Sequence, residues 1–378
     1  MYRHILGRTG RASVLLLVAL LVVSSGVTHA AIDAYVSDSQ IPSHGLFKFD
    51  GQTGAVDPGF TAAALFPPIG KYAAATGIIA TPQGLAINLA GDGLLYVAMQ
   101  DGNAIGLKTI QRFDPSTGAF HAPDTIDPAN VSNLNGYADP AAPGGLTFGE
   151  GSQSPTDLFV AANSGPNTGR VERITTPVES MSTFTVENSG HQLDGAVTPA
   201  FRPGQGDLYV TGFTSNEVAK YDGTTGAFIS SIPVANAPTG LAFSSDGSRM
   251  FVSNATGNAA DDRVREYNPD SGALVDDNFI PNQELPNGLA FGPDLNGGGE
   301  DLYVVERGGS SGVSVYDGTT GALIQASIYS TVTPVDPIGT PLSSPKYVFF
   351  VPEPSTSVLL AMGAMLFLGI RRLRVLRT

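Results

Sequence analysis

The chain of 378 residues contains no cysteine, only five histidines and only 14% charged residues. Without cysteine there are no disulfides and no thiol nucleophile, so packing alone must hold the fold, as suits an exported chain. His4 and His29 lie near the amino terminus, which leaves His44, His121 and His191. None of the three stands at a recognisable spacing from a serine, and only His191 has a close acid, Asp194. No phosphate-cradling loop, zinc-ligand spacing or basic, aromatic-rich face is present, which excludes the common nucleotide, zinc and nucleic-acid chemistries. Basic residues are scarce as well, 20 against 34 acidic, for a net charge of −14. Seven of them, Arg3, Arg8, Arg11, Arg371, Arg372, Arg374 and Arg377, lie in the termini, so the body is more acidic still. Such a surface repels nucleic acid, and repels anionic polysaccharide unless cations bridge the two.

What is abundant is glycine, 46 residues, and proline, 27, with 42% hydrophobic residues. Glycine and proline at this level predict short strands and tight turns, and the apolar content argues against disorder.

The two ends read as addresses. Arg3, Arg8 and Arg11 precede an apolar run from Val14 to Val23, and Thr28-His29-Ala30 offers small residues to signal peptidase, so residues 1–30 are expected to be a cleaved signal helix. An uncleaved anchor is the alternative. At the other end, Val351-Pro352-Glu353-Pro354 is followed by an uncharged stretch from Ser357 to Ile370 and then by four arginines. The prolines predict an extended, accessible segment. The apolar stretch falls short of the roughly 20 residues that cross a bilayer comfortably, so the expected transmembrane helix is a short anchor. The arginines are its cytoplasmic stop. Residues 351–378 resemble the PEP-CTERM sorting signal of Gram-negative bacteria. That resemblance implies an exosortase-type partner, a final place at the cell surface or in the matrix, and a link to exopolysaccharide. An ordinary tail anchor is the alternative.

Between the ends, residues 31–350 repeat. A Gly-Leu-Ala-Phe element recurs as Gly84-Leu85-Ala86-Ile87, Gly145-Leu146-Thr147-Phe148, Gly195-Ala196-Val197, Gly240-Leu241-Ala242-Phe243 and Gly288-Leu289-Ala290-Phe291. A second element recurs as Leu95-Tyr96-Val97, Leu158-Phe159-Val160, Leu208-Tyr209-Val210, Met250-Phe251-Val252 and Leu302-Tyr303-Val304. A turn closes each unit, as in Asp50-Gly51-Gln52-Thr53-Gly54 and Asp222-Gly223-Thr224-Thr225-Gly226. Four short strands per unit predict an all-β propeller. Five units start at Pro82, Pro143, Leu193, Pro238 and Pro286. The leftover pieces, Ala34 to Asp50 and Pro345 to Phe350, make one more, so six blades are expected, closed by strands from both ends. Residues 121–141 read as a loop, with a seventh blade the alternative.

The repeats resemble those of NHL, YVTN and SMP-30/gluconolactonase-like propellers. The gluconolactonase-like members bind a divalent cation at the channel mouth, partly through the residue before the innermost-strand glycine. Here those positions are Gln83, Gly144, Asp194, Thr239, Asn287 and Lys346. The residues after the second strands, Asp38, Met99, Ala162, Gly212, Asn254 and Glu306, should emerge on the same rim. Asp38, Asn254, Asn287 and Glu306 are therefore the candidate rim for calcium, magnesium or a polar ligand, although no cofactor is required. A salt bridge from Lys346 to Asp38 or Glu306 is the competing reading. The loop Asp294 to Asp301 has the alternating oxygens of a calcium loop, or is an elongated hairpin. These features lead to the expectation of a non-enzymatic, exported binding or scaffolding propeller, with a metal-dependent lactonase-like or lyase-like enzyme as the alternative.

Overall fold

The repeated turns close on their first residue. Asp222 Oδ1 accepts the backbone N–H groups of Thr224 and Thr225 at 3.0 and 2.7 Å, and Gly226 completes the turn at φ +74°. The same carboxylate geometry recurs at Asp50, Asp114 and Asp317, with an asparagine oxygen in its place at Asn268. Turns of this kind reverse the chain every few residues and leave it to pair with itself as antiparallel strands.

The computed structural model describes residues 32–39, 45–57, 59–60, 80–101, 108–119, 142–150, 154–163, 168–175, 180–187, 190–308, 311–329, 342 and 344–352. Their strands form six sheets. Blade one joins β1 (Ile32–Asp38) and β2 (Gly45–Asp50) to the last strand, β22 (Pro345–Pro352). Blade two holds β3 (Ala80–Ile87), β4 (Leu95–Asp101) and β5 (Lys108–Phe113). Blade three holds β6 (Ala142–Phe148), β7 (Leu158–Asn163), β8 (Arg170–Thr175) and β9 (Ser180–Thr183). Blade four holds β10 (Ala196–Phe201), β11 (Leu208–Gly212), β12 (Glu217–Tyr221) and β13 (Phe228–Pro233). Blade five holds β14 (Pro238–Phe243), β15 (Met250–Asn254), β16 (Arg263–Tyr267) and β17 (Leu274–Ile280). Blade six holds β18 (Pro286–Gly292), β19 (Asp301–Glu306), β20 (Gly312–Asp317) and β21 (Leu323–Gln325).

The six-bladed ring and its closure by both chain ends match the sequence-based expectation. Residues 1–31 and 353–378, where the signal and transmembrane helices are expected, lie outside the described residues, as does the 121–141 segment. Among the described residues no helix is long and apolar enough to cross a membrane.

The core is divided among the junctions between blades. Among the described residues six clusters of buried apolar side chains stand, one per junction. At the junction that closes the ring, Ala34, Phe47, Phe49 and Val348 of blade one meet Tyr303, Val305, Val313 and Val315 of blade six. The tyrosine of the second strand also reaches beyond its own blade. Tyr35 donates its hydroxyl to the carbonyl of Pro115 at 2.7 Å and Tyr209 to that of Pro269 at 3.1 Å, each in the closing turn of the next blade.

In five blades the innermost pair shifts register at one place: after Pro82, Pro143, Ala196, Pro238 and Pro286 two residues face one on the neighbouring strand. This is a β-bulge, where a proline without an N–H is tolerated. In blades four and five a hydroxyl stands opposite the bulge, and in blade one Ser37 makes the equivalent pair of bonds. Ser253 Oγ accepts the Gly240 N–H at 2.7 Å and donates to the Asn287 carbonyl of the next blade at 2.7 Å. Thr211 repeats this between the Thr198 N–H and the Thr239 carbonyl, and Ser37 between the Tyr347 N–H and the Gln83 carbonyl. Replacing Ser253 by alanine strands two buried backbone groups. We expect a loss of about 2–3 kcal/mol in chemical denaturation; a loss below about 0.5 kcal/mol would show that the hydroxyl is not a clasp.

The register also corrects the alignment of blade four. Pro199 pairs with Val210 as Leu241 pairs with Val252, so Thr198, not Gly195, is the equivalent of Gly240, and Val197 replaces Asp194 at the preceding position. Gly195, at φ +68°, lies in the loop that leads into the blade, where its carbonyl accepts the Phe213 N–H.

Candidate functional site at the channel mouth

The innermost strands stand so close that the bulge glycines have no room for a side chain. A Cβ on Gly240 would lie 2.0 Å from the Asn287 oxygen, and one on Gly288 2.7 Å from the Lys346 oxygen. Blade four carries Thr198 at this position, and blade one carries Tyr347. Its hydroxyl lies 3.0 Å from Thr198 Oγ1 and donates to the Val197 carbonyl at 3.3 Å. Those residues belong to blade four, opposite blade one in a ring of six, so Tyr347 spans the channel. Burial pushes the Tyr347 phenol up to about 12, against the opposing effects of the Thr198 hydrogen bond and the Arg307 charge.

Two cations accompany this tyrosine. Lys346 precedes it in β22, and Arg307 follows β19 in the adjacent blade six, its N–H bonded to the Leu285 carbonyl. Burial, and then repulsion by Arg307, lowers the Lys346 ammonium to about 8, with Asp38 opposing the shift. Burial lowers Arg307 as well, against the attraction of Tyr347 and Asp262. Arg307 Nε is buried with no hydrogen-bond partner among the described residues. Asp262 does not neutralise it by contact, because its carboxylate already accepts from Thr256, Gly257 and Leu285.

The rim residues read from the sequence are placed differently from one another. Asn254 is fully buried; its amide donates to the carbonyls of Ala235 and Asn236 at 2.7 and 2.9 Å, and its oxygen accepts from Arg265 at 2.6 Å. Asp38 accepts the Ser344 N–H at 3.0 Å. Glu306 accepts Ser314 Oγ at 2.8 Å and a backbone N–H of Glu284. Asp38, Asn254 and Glu306 thus each bond the loop that leads into their own blade's innermost strand. Asn287 is buried in the next bulge, where its carbonyl takes the Ser253 hydroxyl. Among the described residues no group of three or more His, Asp or Glu could hold a metal ion. Lys346 forms no ion pair with Asp38 or Glu306 among the described residues. Glu306 also borders a cavity of about 300 Å³ with Gln283, Glu284, Ser314 and Tyr316, and burial there raises its carboxyl.

Other candidates resolve into structure. Asp294 accepts the N–H groups of Asn296, Gly297 and Gly299, so this loop is an extended hairpin turn whose carboxylate is already used. His191 bonds Glu187 and Glu217, not Asp194, and stacks on Phe228 with centroids 3.7 Å apart. The string Gly308-Gly309-Ser310-Ser311-Gly312 fits Gly-x-Ser-x-Gly, but it joins antiparallel β19 and β20 instead of a strand and a helix, so it is no nucleophile elbow. Of the sorting motif, Val351 packs against the cluster between blades one and two and Pro352 ends β22; Glu353 and Pro354 lie outside the described residues. Sequence reasoning missed Tyr347 and Arg307. Both were visible as departures: Lys346-Tyr347 where blades two, three, five and six have a residue and glycine, and an arginine after the second strand where the other blades have Ser39, Gln100, Asn163, Phe213 or Ala255.

No family model matches the chain, and no curated protein matches it. Solved structures do. A chain from the nidogen/laminin complex is 14% identical, with a TM-score of 0.55 over 84% of this chain and 98% of that one. A "putative 6-phosphogluconolactonase" from Bacteroides uniformis is 16% identical, with a TM-score of 0.51 over 85% of this chain and 100% of that one. Another so described, from Bacteroides fragilis, is 14% identical, with a TM-score of 0.51 over 87% and 100%. At these identities the shared property is the propeller fold. The same fold is carried by a chain from a binding complex and by proteins described as lactonases, so the expectation of a non-enzymatic protein is corrected.

Proposed function

We propose that this is an exported propeller that takes a carbohydrate-derived ligand, of the sugar-lactone or sugar-acid class, at the mouth of its channel. The observation that carries the reading is Tyr347: by spanning the channel it turns the mouth from a pore into a cup, with Lys346 and Arg307 beside it. Propellers described as lactonases support the ligand class. The leader and the Val351-Pro352-Glu353-Pro354 tail support export, cleavage by signal peptidase, handling by an exosortase-type enzyme and a final place at the cell surface or in the matrix. There, exopolysaccharide is the natural source of such ligands. Asp38, Asn254 and Glu306 already serve backbone groups, Arg265 and Ser314, so the reading calls on no calcium or magnesium ion.

Two measurements on the native protein test this. Intact mass and fractionation, with and without Pro352, Glu353 and Pro354 replaced by alanine, should give a mature species starting near Ala31 and ending near Glu353 that the variant lacks. Titration of the purified protein with an aldonolactone should give binding or ring opening. A full-length carboxy terminus in the membrane of both strains would overturn the sorting. No interaction with any lactone or its acid would overturn the ligand class.

A further inference from the structure

Arg307 and Lys346 are an unusual pair in an acidic protein. The chain carries a net −14, with 34 carboxylates available, yet it holds two partly buried cations near one another and leaves both without an ion-pair partner among the described residues. Elsewhere basic side chains are paired: Arg202 with Asp270, Arg249 with Glu266, Arg265 with Asp277, Lys48 with Asp33 and Lys220 with Asp207. A buried guanidinium nitrogen with nothing to donate to is costly, and a second cation beside it adds to the cost. One group would offset both terms: an oxyanion between them. Asp38, the acid acting on Lys346, is engaged with the Ser344 backbone, and Asp262, the acid acting on Arg307, has its oxygens filled by four donors.

We infer that Arg307 and Lys346 form a binding site for a small oxyanion, carboxylate or phosphate, with Tyr347 as its floor. Arg307 offers Nε and the guanidinium fork, and Lys346 offers a movable ammonium. The Tyr347 ring is tethered to blade four by its hydroxyl and gives an attached carbon skeleton a flat surface to lie on. The cations come from adjacent blades, one of them on the closing strand, so the site exists only in the closed ring. This deepens the proposed function, because the recognised group would be the acid of a sugar acid, but it concerns binding alone and does not need a lactone to be opened.

The test is calorimetric titration of the full chain with D-gluconate and, separately, with inorganic phosphate, at matched ionic strength against chloride. Wild type should bind one of the two, and which one identifies the oxyanion. Arg307→Gln and Lys346→Met should each weaken that binding by about tenfold or more. Without ligand both variants should melt at or above the wild-type temperature, since each removes one of two repelling cations; this melt also shows that they fold. For gluconate, whose own charge is constant there, binding should weaken as the pH rises through about 8 and Lys346 discharges, while the Tyr347 phenol stays neutral. Absence of binding by both anions, or equal affinity in the variants, overturns the inference. Gluconate binding without lactone turnover leaves it standing. Lactone turnover unaffected by both variants removes it and leaves the broader reading intact.

Discussion

A chain ended at Ser344 should lose cooperative folding altogether. The deletion removes β22, and with it the innermost strand of blade one. Val348 and Phe350 pack into the junction with blade six, and Tyr347, Phe349 and Val351 into the junction with blade two, so two of the six core clusters open at once. Burial of each large apolar side chain is worth about 1.5–3 kcal/mol, and a domain's whole stability is about 5–15 kcal/mol. Losing five such contacts, the clasp from Tyr347 to Ser37 and the pairing of β1 exceeds that margin. The loss should also spread, because a ring missing one inner strand leaves an unpaired edge on β1. Thermal denaturation and near-ultraviolet circular dichroism of the truncated chain, beside a chain ended at Pro352, provide the check. A truncated chain with a sharp melt would show that blade one is dispensable.

Gly240→Ala should be the most damaging added methyl group among the bulge glycines of the innermost strands. The added Cβ would stand 2.0 Å from the Asn287 carbonyl oxygen and 2.7 Å from Ser253 Oγ. The first is backbone of the neighbouring blade and cannot swing away; the second is held by its three partners. Relief requires blades five and six to part, which disturbs the cluster containing Phe251, Leu289 and Val304. We expect a cost of about 3 kcal/mol or more in chemical denaturation. Gly59→Ala is the control: its Cβ would meet only Asp57 Oδ1, at 3.4 Å, and the change should stay within about 0.5 kcal/mol. Equal stability of the two variants would contradict the close approach of the inner strands. Thr198 shows what the position demands of any side chain, because its Oγ1 converts the clash into a 2.7 Å hydrogen bond to the Thr239 carbonyl.

The same position explains how far the sequence could be read. Turns such as Asp222 to Gly226 carry their geometry in local residue chemistry, and the Leu-Tyr-Val strands carry theirs in alternation and bulk, so blade number and ring closure were legible. Blade four was misaligned because a glycine three residues early, Gly195, imitates the motif, while the true equivalent is Thr198, whose role depends on the Thr239 carbonyl, a group of another blade that local sequence does not reveal. Placement of the rim residues failed for a related reason. Antiparallel pairing is what grouped Asp38, Asn254 and Glu306 in the sequence reading. Whether their side chains face the channel or their own loop depends on the twist at the bulge, and all three turn to backbone groups that would otherwise lack partners. Tyr347 and Arg307 escaped notice because they were judged as one more strand residue and one more loop residue, not as exceptions to the repeat.

The most direct test of the account is a crystal structure of the mature protein grown near pH 6.5 with D-gluconate. The account predicts six blades, β22 paired with β1, Tyr347 spanning the channel to Thr198, and the carboxylate held between Arg307 and Lys346. A channel mouth in which these two cations are each paired with protein carboxylates, with no ligand bound, would contradict it.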